Sequence, residues 1–250
     1  MILDLPRRAQ PMRGGGLRLR HGRDFTADHL GWPLLLWALA LALVSVLDLD
    51  WQLSHALFGW EGYRWVLRDH PITESVLHRG GHDLSIAAWV ALLVAWVQAQ
   101  RRRWPMRGAM AALLVSVLLS TLLVSWIKSW SNIDCPWDID GLGGLRPHLS
   151  LWETFTGQRP ASLPRARCFP AGQASAGYAW VALYFFALRT RPAWRWHGLA
   201  AGLGTGAVLG FAQQLRGAHF LSHDLWTLVL CWLVATGVHA CSLRCRGRRG

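Results

Sequence analysis

The chain has 250 residues, of which 52% are hydrophobic and 16% are charged, and its formal net charge is +12. A soluble domain usually carries about 25% charged residues, so this composition argues against an ordinary soluble protein. The arginines that supply the positive charge fall in blocks between apolar runs. They are not interleaved with stacking aromatic residues, so we expect no nucleic-acid partner.

Six apolar runs approach the ~20 residues that a helix needs to cross a bilayer. They span residues 31–47, 84–98, 108–127, 174–188, 198–215 and 220–238. The chain is therefore predicted to be an all-α membrane protein with six transmembrane helices. The predicted parts are a basic N-terminal tail (1–30), a membrane domain (31–240) with long loops over 48–83 and 128–173, and a basic C-terminal tail (241–250).

The orientation follows from the distribution of Lys and Arg. The two tails and the loops after the second and fourth runs hold 17 of the 26 cationic residues, and the longer loops on the other side hold the remaining nine. Positive charge is enriched on the cytoplasmic side of membrane proteins. We therefore expect cytoplasmic N- and C-termini, with loops 48–83 and 128–173 outside the cytoplasm.

The fifth run carries glycines at a regular four-residue spacing, at Gly198, Gly202, Gly206 and Gly210. Such glycines line one face of a helix and permit close approach of a neighbouring backbone. This pattern predicts a tightly packed helix in the centre of the bundle.

Polar residues, most of them ionisable, crowd where the outer loops meet the spans. Lys128 ends the third run, Gln173 lies at the start of the fourth, and Arg216, His219 and Asp224 lie around the start of the sixth. These residues therefore fall at one membrane depth, which is the arrangement that a shared pocket requires. Ionisable residues at membrane depth are candidates for function.

Three stretches at these helix ends, the first of them after Lys128, form a pattern in chain order. They read Asn132-Ile133-Asp134-Cys135-Pro136-Trp137-Asp138, Cys168-Phe169-Pro170-Ala171-Gly172-Gln173-Ala174-Ser175 and Gly217-Ala218-His219-Phe220-Leu221-Ser222-His223-Asp224. Together they resemble the type-2 phosphatidic acid phosphatase superfamily, and most closely a bacterial branch with an Asp-Cys-Pro-Trp-Asp motif. The resemblance covers roughly residues 80–240.

The resemblance implies a six-helix membrane phosphatase that forms a phosphohistidine and needs no cofactor or metal. It places the nucleophile at His219, a phosphate-binding cation at Lys128, and Gly172 beside the bound phosphate. Arg216, one turn before His219, is a further candidate for phosphate binding. A neutral imidazole is a good nucleophile, and positive charge stabilises the equatorial oxygens of the transition state.

The chain also departs from the superfamily pattern at several positions. Gln173 stands where that pattern has the acid His, and Gln213 falls where it has Arg. His223 occupies the position of its Asp, so either His223 or the adjacent Asp224 is expected to orient the nucleophile. Glutamine cannot deliver a proton, and general acid catalysis is worth ~10²–10⁴-fold. We therefore expect weakened action on poor leaving groups, and less impairment on diphosphates.

Cys135 and Cys168 lie in the same predicted outer loop, each beside one of the motifs. Disulfides persist outside the cytoplasm, so a bridge between these two cysteines is expected, with two free thiols as the alternative.

Two other functions remain open from the sequence. His78-x3-His82-Asp83 and His219-x3-His223-Asp224 both place imidazoles one helical turn apart, a spacing that suits a transition-metal ion. A relative that binds phospholipid headgroups without turnover is favoured by Gln173 and Gln213.

The predicted function is thus hydrolysis or transfer of phosphate from a lipid phosphate or diphosphate. The expected location is the bacterial inner membrane, with the active face outside the cytoplasm. The expected partners are a phosphorylated lipid and the bilayer, and the sequence does not indicate an oligomeric state.

Overall fold

The structure is a computed structural model and describes residues 25–247. Most of the basic tail predicted over 1–30, and the last three residues of the tail predicted over 241–250, lie outside the described residues. The described part is helical, with one isolated bridge between Ile139 and Arg146.

Nine α-helices occur within the described residues, and we number them in chain order. They are α1 (Trp32–Val46), α2 (Leu49–Trp60), α3 (Gly81–Arg101), α4 (Arg107–Trp130), α5 (Leu151–Phe155), α6 (Gly172–Tyr178), α7 (Ala182–Thr190), α8 (Arg195–Leu215) and α9 (Leu221–Gly247). A π-helical turn over Ala27–Gly31 precedes α1, a π-helical segment over Ile72–Gly80 leads into α3, and a 3₁₀ turn over Ala179–Val181 joins α6 to α7.

Every predicted apolar run lies on a helix, but not all of these helices have the length and hydropathy typical of a membrane span. Four described segments do: Ala27–Val46, Val66–Arg101, Arg107–Trp130 and Leu221–Arg244. The fourth run is split between α6 and α7, each of which is short. The fifth run forms the 21-residue α8, whose glycines together with Gln213 and Gln214 lower its mean hydropathy.

The helices pack around a core formed by α4, α6, α7 and α9. Its buried members include Leu113, Val117, Ala174, Tyr178, Phe185 and Cys231. The outward faces of α1, α3 and α4 remain apolar, with large exposed side chains such as Leu36, Val94 and Leu122. Exposed apolar surface on this scale fits helices that face lipid.

The glycine face of α8 packs directly on α6 and α7. A Cβ atom built on Gly202 would lie 2.4 Å from the backbone nitrogen of Val181, and one built on Gly206 would lie 2.1 Å from the Tyr178 ring. The predicted close packing of this helix is therefore confirmed. It fixes the C-terminal end of α6, whose N-terminal end carries part of the candidate site.

The predicted loops contain ordered structure of their own. Loop 48–83 holds α2 and the π-helical segment Ile72–Gly80, and loop 128–173 holds the 3₁₀ turn Pro136–Asp138 and α5. Ser150 and Glu153 form a reciprocal capping box that starts α5. At the other end of the chain, α9 continues to Gly247, into the segment predicted as a tail.

Candidate active site

The motif stretches meet where α4 ends and where α6 and α9 begin. Asn132 has a positive φ of 55°, which turns the chain sharply after α4, and its side chain accepts a hydrogen bond from the backbone N–H of Ala166. Asn tolerates this left-handed conformation better than most residues. The turn brings the first motif back beside the second, where the backbone N–H of Cys168 donates to the carbonyl of Ile133 at 3.1 Å.

The third motif is fixed by contacts from both loops. The backbone N–H of Trp137 donates to the carbonyl of Gly217, and Gly217 itself has a φ of +66° at the turn before α9. Asp50 of α2 accepts a hydrogen bond from the backbone N–H of Ser222 at 2.8 Å, near the start of α9. Helix starts have unpaired N–H groups that a carboxylate satisfies well. Loops 48–83 and 128–173 therefore hold the segment that carries His219.

His219 is buried, with 4% of its surface exposed, and its Nδ1 atom lies 2.6 Å from the carbonyl oxygen of Cys168. A carbonyl only accepts hydrogen bonds, so Nδ1 carries the proton and Nε2 keeps its lone pair. Burial, with Lys128 and His223 nearby, holds the pKa of His219 well below its usual range, although the Cys168 carbonyl opposes the shift. The imidazole is therefore neutral at physiological pH, as a nucleophile must be.

Cys168 is joined to Cys135 by a disulfide that closes a loop of 33 residues, with Cα atoms 5.2 Å apart. The structure therefore pairs the two cysteines that the sequence placed beside the first two motifs. The residue that orients His219 is tied by this bridge to the first motif.

Lys128 and Gly172 lie against each other. A Cβ atom built on Gly172 would be 3.2 Å from Nζ of Lys128. The absence of a side chain at this position thus leaves room for the ammonium group at the start of α6. Lys128 also acts electrostatically on His219, so the cation and the imidazole belong to one cluster.

Gln173, at the predicted acid position, is bound to backbone. Its Nε2 donates to the carbonyl of His78 at 2.6 Å and to the carbonyl of Leu77 at 3.2 Å. Both carbonyls belong to the π-helical segment Ile72–Gly80. Both amide N–H groups of Gln173 thus join α6 to that segment.

Arg216 is buried and its guanidinium is held by three partners. It donates to the carbonyl of Arg68 at 2.7 Å and to Oε1 of Gln213 at 3.0 Å, and it forms an ion pair with Glu74. Two of these partners lie in the loop between α2 and α3. Arg216, which the sequence predicts to bind phosphate, thus lies at the site and is held by the Glu74 carboxylate.

The two residues predicted to orient the nucleophile occupy different places. His223 packs near His219, with ring centroids 5.8 Å apart, and its Nδ1 has no partner among the described residues. Asp224 lies one residue further round the start of α9 and faces α8, where it accepts a hydrogen bond from Gln214 beside Gly210. Among the described residues, the hydrogen-bond partner of His219 Nδ1 is the Cys168 carbonyl, not Asp224.

The described residues contain no group of three or more His, Cys, Asp or Glu side chains that could hold a metal ion. The two imidazole pairs noted in the sequence therefore do not assemble into such a cluster in this part of the chain.

The sequence assigned no site role to the Cys168 carbonyl or to Glu74, and it pointed to the imidazole of His78 only as a candidate metal ligand. A carbonyl leaves no signal in a residue pattern. The four-residue spacing of Glu74 and His78, at the same predicted membrane depth as His219, is a signal that points to the other two.

The described part of the chain is thus helical, with apolar helices long enough to cross a membrane, and one end of the bundle gathers a neutral histidine, a lysine and an arginine. A family model of the PAP2 superfamily matches residues 109–246, which include all three motifs, and the chain belongs to that superfamily. Its members are phosphatases and phosphotransferases, and this membership supports an activity of the phosphoric-ester hydrolase kind for the chain. No curated protein and no solved structure matches the chain.

Proposed function

We propose that the protein removes or transfers the phosphate of a membrane lipid phosphate or diphosphate, with His219 as the nucleophile. The observation that carries this proposal is the hydrogen bond from Nδ1 of His219 to the Cys168 carbonyl. It leaves Nε2 as the free lone pair of a buried, neutral imidazole within electrostatic reach of Lys128.

The chemistry proceeds in two displacements. Nε2 attacks phosphorus and the bond to the leaving group breaks, which gives a phosphohistidine. Water or a second lipid then attacks phosphorus, and the N–P bond breaks. Lys128 and Arg216 supply positive charge where it develops on the phosphoryl oxygens in both steps.

A lipid substrate is supported by a groove that adjoins the cluster. Between α3, α6 and α8 lies an apolar cavity of about 430 Å³, lined by residues such as Leu84, Trp180 and Val208. Gly81, at its edge, would carry a Cβ atom 3.5 Å from Nε2 of Gln173, so the groove reaches the site. A groove of this size and character accommodates hydrocarbon.

The proposed setting is a bacterial inner membrane crossed six times, with cytoplasmic termini and the site on the outer face. The excess of arginine in the tails and in the loops after α3 and α7 supports this orientation. A disulfide beside the site also suits an oxidising compartment.

The test is phosphate release by the purified protein from phosphatidate, phosphatidylglycerophosphate, a polyprenyl diphosphate and lipid A. We expect EDTA-insensitive release that His219→Ala abolishes, and an acid-labile phosphoenzyme that the same variant lacks. His197→Ala is the matched control, because His197 is exposed on α8 at the opposite end of the bundle. Activity that survives in His219→Ala would overturn the mechanism.

Gln173→His separates turnover from headgroup binding without turnover. If neither wild type nor this variant releases phosphate from any of the lipids, while both bind phosphatidate vesicles, the protein is a headgroup-binding relative instead.

A further inference from the structure

His78 lies outside the three motifs, yet the structure brings its segment to them. It is the seventh residue of the π-helical segment Ile72–Gly80, which precedes α3. The ion pair of Glu74 with Arg216 fixes the beginning of this segment against the third motif. The hydrogen bond from Gln173 to the His78 carbonyl fixes its end against the second motif.

The imidazole of His78 belongs to the same electrostatic cluster as the nucleophile. It interacts with Arg216, Glu74 and Lys128, and His219 in turn interacts with His78. Its Nδ1 is buried and has no hydrogen-bond partner among the described residues. Buried polar atoms of proteins are nearly always paired, so an unpaired ring nitrogen near the proposed phosphate-binding residues Lys128 and Arg216 marks a place for a bound group.

The segment Ile72–Gly80 is also bound by Gln173, the residue that stands where the superfamily pattern has the acid His. The amide of Gln173 is not acidic enough to protonate a leaving group, and its N–H groups donate hydrogen bonds to the carbonyls of Leu77 and His78. The side chain at the acid position thus holds in place a neighbouring residue that does have a titratable proton.

We propose that His78 is the proton donor to the leaving group, with Gln173 as its positioning residue. This inference rests on the proposed function of His219. As His219 Nε2 bonds to phosphorus, the electron pair of the breaking P–O bond goes to the leaving oxygen, which takes the proton of the His78 imidazolium and departs as an alcohol. Neutral His78 then removes a proton from the attacking water, so phosphate is released and both imidazoles return to their starting forms.

The local charge supports this assignment once substrate is bound. In the empty pocket, burial disfavours an imidazolium at His78 most strongly, and Arg216 and Lys128 add to this effect, while Glu74 one turn away favours the imidazolium. A phosphate dianion placed between the two cations offsets their charge and stabilises the imidazolium that must donate its proton.

The test compares two versions of one lipid phosphate, which differ only in whether the atom bridging phosphorus and the glycerol is oxygen or sulfur. A thiolate leaves without being protonated, whereas an alkoxide requires an acid. We expect His78→Ala to lower kcat on the oxygen ester by ~10²–10⁴-fold and on the sulfur ester by only a few-fold. His82→Ala is the matched control, because that imidazole lies one turn further on with 60% of its side chain exposed, and both of its rates should stay near wild type.

His78→Asn provides a second variant that retains a polar side chain but has no proton to give. It should lose kcat on the oxygen ester but not on the sulfur ester, with an unfolding temperature close to wild type. If His78→Ala does not fold, His78→Asn tests whether His78 is the acid. If both esters lose activity equally in the folded variant, or neither does, while His219→Ala is inactive, His78 is not the acid and the proposed function stands. If wild type releases no phosphate from either ester, the proposed function and this inference fall together.

Discussion

The Nδ1 atom of His219 lies 2.6 Å from the carbonyl oxygen of Cys168, and Cys168 is bridged to Cys135. A main-chain carbonyl therefore takes the place of a carboxylate as the group that fixes the histidine tautomer. A carbonyl has no net charge, so it orients the ring without placing a buried carboxylate beside it. The position of the Cys168 carbonyl depends on the backbone around the disulfide. Loss of the disulfide is therefore expected to change the orientation of His219.

The first prediction concerns that bridge. Of the five cysteines, we expect three to react with a thiol reagent in the unreduced, denatured protein and five after reduction. Cys135→Ala should lower the free energy of unfolding by about 3–4 kcal/mol, the loop-entropy value for a loop of this size. It should also lower kcat, because the Cys168 carbonyl is no longer held against His219.

Cys241→Ala is the control for the bridge, since Cys241 is a free, exposed thiol on α9. It should change neither the unfolding transition nor kcat. Five reactive thiols in the unreduced protein would contradict the pairing.

The second prediction concerns pH. Because burial holds the pKa of His219 well below its usual range, the imidazole stays neutral until the solution is well below pH ~6.5. Protonation removes the lone pair, so activity should fall on the acidic side, with the limb of kcat/KM that belongs to His219 lying well under that value. The phosphate ester itself takes up a proton near pH ~6, so its titration is measured separately by phosphorus NMR and divided out. A remaining limb at or above pH ~6.5 would show that His219 is not the buried neutral base described.

The helices, and the end of the bundle at which the site lies, could be predicted from the sequence. Apolar runs predict helices because each residue contributes to the pattern locally, and the glycines of α8 predict close packing because their spacing matches the helical period. The three motifs lie at helix ends, so the positions of Lys128, Gln173 and His219 at one end of the bundle also followed from topology.

The partners of these side chains could not be predicted in the same way. The sequence predicts that either His223 or Asp224 orients His219. At the start of α9 one residue is about 100° of rotation, and the Asp224 carboxylate is turned towards Gln214. Glu74 reaches Arg216 only because a π-helical segment docks on the third motif, and that docking depends on contacts distant in sequence. The four-residue spacing of Glu74 and His78 marks the segment, but nothing in the sequence identifies Arg216 as the partner of Glu74.

The third prediction concerns Arg216. Arg216→Lys keeps the charge but loses the planar fork that contacts Glu74, Gln213 and the Arg68 carbonyl. We expect kcat/KM for a lipid phosphate to fall by ~10²-fold, the usual cost of one misplaced donor to a developing oxyanion. Arg79→Lys is the control, because Arg79 also pairs with Glu74 but leaves 70% of its side chain exposed. Equal losses in the two variants would mean that Arg216 only supports the fold.

The fourth prediction concerns the contact between Gly172 and Lys128. Gly172→Ala would bring a Cβ atom to 3.2 Å from Nζ of Lys128, and the flexible lysine, not the backbone, would have to move. We therefore expect little change in the unfolding temperature but weaker phosphate binding, seen as a rise of about 10-fold in KM for a lipid phosphate and in Ki for inorganic phosphate. Gly237→Ala on α9 is the matched control, because a Cβ atom there would meet nothing within 4 Å. That variant should keep both constants and be as stable as wild type or slightly more so, since Ala favours helix over Gly. An unchanged Ki in Gly172→Ala would show that Lys128 does not bind the phosphate, whatever its effect on the neighbouring imidazole.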